Sequence, residues 1–352
     1  MRYHRDDKVG LFSADERLSE LEKLGDPLLA LSDHVDFEFF RATLEEVLYG
    51  DYDRAKGGRP PFDVVMMLKV LVLQRFYALS DDAVEFQIKD RLSFQRFLGL
   101  DFAGRVPDAK TVWVFREALR KEDLVKRLFD EINARLVDSN VIATAGQIVD
   151  ASFVQAPRQR NTREENKVIK DGGIPPGWQE TPSRLCQKDL DARWAKKNDE
   201  VHYGYKDHIM VDRKSKIVTD YVVTDASVHD SQELDALTAL GIAEDQELYA
   251  DSAYRSAESE ELLASRGIFS KVHFKAYRNR PLTAKEKRSN KARSKQRARV
   301  EHVFGFMTNS MGGMRVRCCS VERNEVVIGL MNLTYNLFRL KQLNRKLERY
   351  PA

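Results

Sequence analysis

The apolar pattern of the chain changes period near Asn140, and that change limits the fold more than any other feature. Before it, apolar residues recur at helical spacing, as at Val65, Leu68, Val72 and Phe76, which marks one face of a helix. After it come short runs rich in β-formers, Gln147 to Val154, Val201 to Val211 and Ile217 to Thr224. The last two are separated by a polar hairpin loop, Arg213 to Lys216. A helix over Ser231 to Leu240, a strand over Glu247 to Ala250, a helix over Ser256 to Arg266 and a strand over Ile268 to Val272 then alternate. This order predicts an all-helical N-terminal domain, 1–140, followed by an α/β domain, 141–345, built on a mixed sheet flanked by helices.

In the helical part, the run Gly57-Gly58-Arg59-Pro60-Pro61 is a stop, and its prolines suit the start of a helix over Phe62 to Leu79. Ser80 with Asp81 and Asp82 reads as an N-cap and first-turn acids for the next helix, Asp81 to Lys89. Further helical pieces lie at Ser93 to Leu98 and Thr111 to Leu119. Two helices around a short Ser-containing turn are either a helix-turn-helix that enters a DNA groove or a small bundle without DNA contact. The polar stretch 157–198, broken by Gly172-Gly173 and Pro175-Pro176, reads as an insertion or mobile loop outside the core. Trp178 and Trp194 within it are anchors for that loop or stacking surfaces for an unpaired base. Lys295 to Met311 and Val326 to Leu340 read as two helices on either side of the Gly312-Gly313 turn.

Charge is unevenly spread. The net charge is only +3, yet Lys271 to Arg299 holds twelve Lys or Arg and one acid, Glu286, so the rest of the chain is net negative. A basic segment in an otherwise acidic protein suits a polyanion such as nucleic acid, although a solvated face has the same composition. The three cysteines, Cys186, Cys318 and Cys319, lack a CxxC pair, so neither a disulfide framework nor a cysteine zinc site is expected, and the adjacent pair reads as buried and inert. No apolar run approaches the roughly 20 residues that span a bilayer, and residues 1–10 lack the apolar core of a secretory signal. A cytoplasmic location is the expectation.

Asp150 sits in the middle of an apolar strand and Asp251 directly follows another, LYAD. A carboxylate is costly to bury without a partner. Glu301 lies in RARVEHVFGFM, where Val300, Val303, Phe304 and Met307 would pack a helix on the sheet. Three carboxylates from two strands and a helix make the hard, all-oxygen environment that Mg²⁺ or Mn²⁺ prefers. Two such ions can serve in-line displacement at phosphorus. Singly, the same acids are a strand hydrogen bonder, a helix cap and a surface partner for Arg297. A glycosidase with paired carboxylates is disfavoured, since it needs no basic segment beside its acids.

The ordered series IVDASFV, HYGYKDHIMVD, TDASVHDSQ, YADSAY and RARVEHVFG resembles that of insertion-sequence DDE transposases, in the group named after insertion sequence five. The stretch GRPPFDVVMMLKVLVLQRFYALSDDAVE through VPDAKTVWVFRE is similar to the helical region before the catalytic core in that group. The resemblance runs in order from about Gly57 to Leu340. It implies a ribonuclease-H-like core with a five-stranded mixed sheet, and double-stranded DNA, both terminal inverted repeats and target, as substrate. It also implies a homodimer in the DNA complex, in the nucleoid of a bacterium or archaeon. Asp150 would bridge two metal ions, with Asp251 and Glu301 holding one each.

Such enzymes also carry a Tyr, an Arg and a Lys around the glutamate to hold phosphates. Arg297 matches the arginine, but Ser294 and Thr308 stand at the other two positions. Arg299, His302 or a residue of the basic run, such as Lys291, Arg293 or Lys295, is expected to substitute. The resemblance marks His229 and Asp230 as a pair near the site, with a helix cap as the alternative role for His229. Lys206 and His208, on one face of the strand beside that of Asp150, are expected to touch DNA or to support the site. Cleavage and strand transfer is the leading reading. A DNA-binding protein that no longer cuts, and a nuclease of the same fold, remain open beside it.

Overall fold

The computed structural model describes residues 13–50, 57, 59–101, 104–142, 146–197, 199–239 and 245–349. The opening residues, Gly58 in the expected stop and the end of the expected helix at Leu240 lie outside the described residues. By contacts the chain divides into two compact units: 1–74, 79–115 and 340–352 form one, 75–78 and 116–339 the other.

In the first unit, α1 (Ser13–Lys23) and α2 (Pro27–His34) are followed by a 3-10 turn, Phe37–Phe40, and α3 (Arg41–Tyr49). Asp26 caps α2 by accepting from the Leu28 N–H at 2.9 Å. α4 (Val64–Phe76) has ten buried residues, including Val64, Met67, Leu71 and Gln74. Burial on all sides makes it a central rather than an amphipathic helix. Ser80 caps α5 (Asp81–Asp90) by accepting from the Ala83 N–H at 3.1 Å, and α6 (Leu92–Leu98) ends at Gly99 in the left-handed region. Arg96 returns to Asp26 at 2.7 Å. α7 (Ala109–Lys121) begins in this unit.

The second unit takes the rest of α7, α8 (Leu124–Asp138) and everything to Arg339. The division therefore falls before α8 instead of near residue 140. α8 buries Leu128, Phe129, Ile132 and Leu136, its Phe129 ring meets Tyr221, and Asn133 donates to the carbonyls of Val218 and Thr219, at 3.1 and 3.2 Å, which ties the helix to a strand.

The sheet holds β1 (Gln147–Gln155), β2 (Arg193–Lys197), β3 (Glu200–Asp212), β4 (Val218–Asp225), β5 (Glu247–Tyr249) and β6 (Phe269–Ser270). β1, β3 and β4 pair antiparallel, while β1–β5 and β5–β6 are parallel. The order β4-β3-β1-β5-β6 is the five-stranded mixed sheet that the resemblance implies. A sixth strand is added because β3 is long: it pairs with β2 over residues 200–204 and with β4 over 205–211. Gly204 lies at the change of partner with φ 143°, and a Cβ there would sit 2.3 Å from the Val154 carbonyl oxygen.

β2 comes from the stretch expected to be a loop outside the core. That stretch also holds α9 (Arg163–Lys170) and the short α10 (Pro182–Leu185). Trp178 is fully buried and its indole donates to Glu165 at 2.9 Å, while buried Asp189 accepts from the Tyr205 hydroxyl at 2.8 Å. Two polar links, the second of them fully buried, and one tryptophan turn a polar segment into ordered structure. Trp194, by contrast, is 45% exposed, with Arg158 over its ring.

Alternation decides what each sheet face meets. Val149 and Met210 join a core with Leu234 and Leu237 of α11 (Leu234–Thr238) and Leu263 of α12 (Ala257–Ser265). α13 (Ala284–Arg297) and α14 (Glu301–Asn309) replace the single helix expected over Lys295 to Met311, with a tight turn at Ala298–Val300 between them. α15 (Val321–Arg349) covers the other face: Asn332 donates to Asp207 of β3, and Asn336 bonds both the N–H and the carbonyl of Val218. Cys318 and Cys319 are half-buried and Cys186 is exposed, so the expected burial of the pair is only partial. Among the described residues no helix is long and apolar enough to cross a membrane.

Candidate active site

Asp150 is set by the register of β1, opposite Ile209 of β3. β1 and β5 pair in parallel through Gln147 with Leu248 and Ile148 with Tyr249, so the same register carried two residues further brings Asp150 beside Asp251. The electrostatics agree. Burial pushes the Asp150 carboxyl above its ordinary value, the Arg297 guanidinium pulls it back, and the negative Asp251 pushes it up again.

Each aspartate is only partly satisfied by the protein. Asp150 Oδ1 accepts from the Ala151 N–H at 3.0 Å and Oδ2 accepts from Arg297 Nη1 at 2.6 Å. Asp251 Oδ1 accepts from the Ala253 N–H at 2.7 Å, which caps the 3-10 turn Ser252–Tyr254. That turn delivers Tyr254, a fully buried side chain whose hydroxyl has no partner among the described residues. Burial pushes the Tyr254 hydroxyl well above its ordinary value, and the charges of Asp230, Asp150 and Asp251 add to the rise. Burial, with Arg297 nearby, pushes His273 below its ordinary value, and Asp251 acts against this.

The oxygen-only donor set of Asp150 and Asp251 suits a hard divalent cation, and their mutual repulsion is what such an ion relieves. A positive group, Arg297, already lies against one of them. Glu301 is not gathered with the pair: it is exposed in the first turn of α14. Among the described residues no three His, Cys, Asp or Glu side chains come close enough to hold a metal ion. The expected convergence of three acids thus reduces to two.

The other expected residues sort by exposure. Lys206 is buried, pairs with Asp230 at 2.7 Å and donates to the Val228 carbonyl. His208 is fully buried, bonded to Thr224 at 2.9 Å, and burial pushes it down to about 4. Neither is free to touch DNA, because their strand face is covered. His229 accepts from the Ser231 N–H and so caps the 3-10 helix Asp230–Glu233. Arg293 is spent on the Val272 carbonyl and the Phe274 ring, and Arg299 donates to the Arg213 carbonyl at 2.9 Å. Lys291, Lys295 and His302 are exposed, as are Lys285, Lys287 and Arg288.

Residues 143–337, more than half of the chain, match the family described as Transposase DDE domain. The chain belongs to that family. Residues 16–118 of the transposase also match a second family, described as Transposase domain (DUF772). The resemblance to insertion-sequence DDE transposases, read from the motif series, therefore holds at the level of the family. Among solved structures, the piggyBac transposase synaptic complex with hairpin DNA is similar over 94% of this chain and 77% of that one, at 13% identity and a TM-score of 0.45.

Sequence reading did not pick out Tyr254 or His273, and it expected Lys206 and Asp230 near the site without pairing them. Tyr254 offered a signal, three residues after Asp251 in ADSAY. His273 offered none, since only the folded sheet brings it near Asp251.

Proposed function

We propose that this DNA transposase cuts double-stranded DNA at terminal inverted repeats and joins the freed 3′ hydroxyl to target DNA. Divalent ions, Mg²⁺ or Mn²⁺ and two in number, would be held by Asp150, Asp251 and Glu301. The carrying observation is the side-by-side placement of Asp150 and Asp251 at neighbouring strands, in a chain of the transposase DDE domain family. Such ions supply charge neutralisation at the attacking and leaving oxygens. The protein's part is positioning: β1 and β5 hold the aspartates on rigid strands, and the capped turn after Asp251 fixes one of its oxygens. Glu301 follows Arg297, itself in contact with Asp150, by four residues, and so is the acid best placed to complete the set. Exposed Lys285, Lys287, Arg288, Lys291 and Lys295 on α13 would bind phosphates. Two DNA ends must be held at once, which a homodimer would do.

The test is incubation of the transposase with linear DNA carrying candidate element ends and Mg²⁺ or Mn²⁺, scored for nicks at the boundary and for joined products. Asp150→Asn is expected to lower product by about 10²-fold or more, since even partners behind a metal ligand are worth ten- to a hundredfold. Equal activity in the folded variant would overturn the assignment.

A further inference from the structure

Arg297 and Glu301 lie at the two ends of one tight turn, and only the first reaches Asp150. Arg297 Nη1 sits 2.6 Å from Asp150 Oδ2, with both side chains mostly buried. The guanidinium is not fully housed there: its Nε is buried and has no partner among the described residues. Arginine has five N–H donors in a fixed fork, and one left unsatisfied in a buried place makes this seat a costly one.

The turn itself is overwound. The N–H groups of Arg299, Val300, His302 and Val303 go back three residues, to Gln296, Arg297, Arg299 and Val300. With 3.0 residues per turn, the four steps from Arg297 to Glu301 place the two about 120° apart around the axis. With 3.6 residues per turn the same four steps leave about 40°, so Glu301 would share the face of Arg297. Val303 and Met307 are fully buried and hold α14 in place, which confines such a change to residues 297–301. Short 3-10 stretches between helical segments are recurrent hinges.

We propose that Arg297 competes with a divalent cation for Asp150, and that Arg297 leaves as the turn relaxes and Glu301 swings onto the same face. The proposal rests on the reading above that Asp150 belongs to a divalent-cation site. The guanidinium charge 2.6 Å from Oδ2 repels a cation brought to the same carboxylate, so the apparent metal affinity is the intrinsic one reduced by the fraction of molecules with Arg297 off Asp150. The released guanidinium is then available to a DNA phosphate. A phosphate that holds Arg297 raises metal affinity, and metal raises affinity for that phosphate by the same factor. The turn thus couples loading of metal to the arrival of DNA.

Mn²⁺ binding to the full chain, followed by calorimetry and by the free-ion spin-resonance signal, tests this without activity. Arg297→Gln removes the competitor and is expected to bind Mn²⁺ about tenfold or more tightly than the wild type. Added duplex DNA should tighten Mn²⁺ binding more in the wild type than in Arg297→Gln. Glu301→Gln should weaken Mn²⁺ binding in the Arg297→Gln background. Equal or weaker binding by folded Arg297→Gln, with Asp150→Asn still abolishing the site, overturns the competition and leaves the metal site standing. Absence of any saturable site sensitive to Asp150→Asn overturns the metal site and the competition together. If Arg297→Gln does not fold, the arginine Nε–H resonance of the wild type decides. It should shift as Mg²⁺ is added, and an unmoved resonance at metal saturation overturns the proposal.

Discussion

Asp207 lies on β3 without solvent exposure, and Asn332 of α15 donates to its Oδ1 at 3.1 Å. Its Oδ2 and the Asn332 Oδ1 are both buried acceptors without partners among the described residues. Burial pushes this carboxyl up to about 7 from 3.8, against the opposing pull of the Asn332 amide. A proton kept in the folded state removes the buried charge that no second donor stabilises. The folded chain therefore binds the proton more tightly than the unfolded chain, and this group makes stability fall as pH rises from about 4 to about 7, the cost being complete above that window. Asp207→Asn keeps the shape of the side chain and removes the buried charge. It should stabilise the protein by about 1–3 kcal/mol near pH 8, and by little near pH 4, in denaturant titrations. A variant less stable than wild type at the higher pH would refute this account.

At the scale of elements, α13 has no buried residue, so apolar packing does not hold it. Its N-terminus carries a capping box, in which Thr283 and Glu286 satisfy each other's backbone N–H groups. Asn290 fastens its middle: it accepts from the Phe274 N–H at 2.8 Å and donates to the Phe274 carbonyl at 3.0 Å. Arg255 and Arg293 lie over the same phenylalanine ring, 4.5 and 4.4 Å from its centroid. Asn290→Ala removes both bonds and should lower the local stability of α13 by about 2 kcal/mol, at about 1 kcal/mol each. Hydrogen exchange read by mass spectrometry should then show faster exchange over 284–297 with β1 and β3 unchanged. Faster exchange throughout the sheet would show that Asn290 supports the core instead.

Across the whole molecule the small net charge of +3 hides a strongly basic stretch, Lys271 to Arg299, in an otherwise acidic chain. Because much of that stretch is a solvent-facing helix, its lysines are presented and not buried. Each phosphate they neutralise releases counterion, so affinity for DNA falls with salt in proportion to the number of contacts. Replacing exposed Lys287, Lys291 and Lys295 with Gln should weaken DNA binding and lower the slope of log affinity against log salt by about 3. Filter binding or anisotropy over a salt series measures it. An unchanged slope would move the DNA to another surface.

What the residues determined by themselves was whatever depends on period and local chemistry. Strands β1, β3 and β4, the Ser80 cap, the carboxylates within one apolar strand and just after another, and the basic segment could all be read, because side-chain alternation and hydrogen-bonding type act within a few residues. Only the tertiary structure decided what depends on partners far along the chain. Asn133 assigns α8 to the sheet-bearing unit, Trp178 and Asp189 convert a polar segment into an ordered strand-bearing one, and Asp230 withdraws Lys206 from solvent. Arg297 reaches Asp150, while Glu301, four residues on, is exposed. Local sequence carries the tendency to form a helix there, but the number of residues per turn is settled by what the two helices pack against.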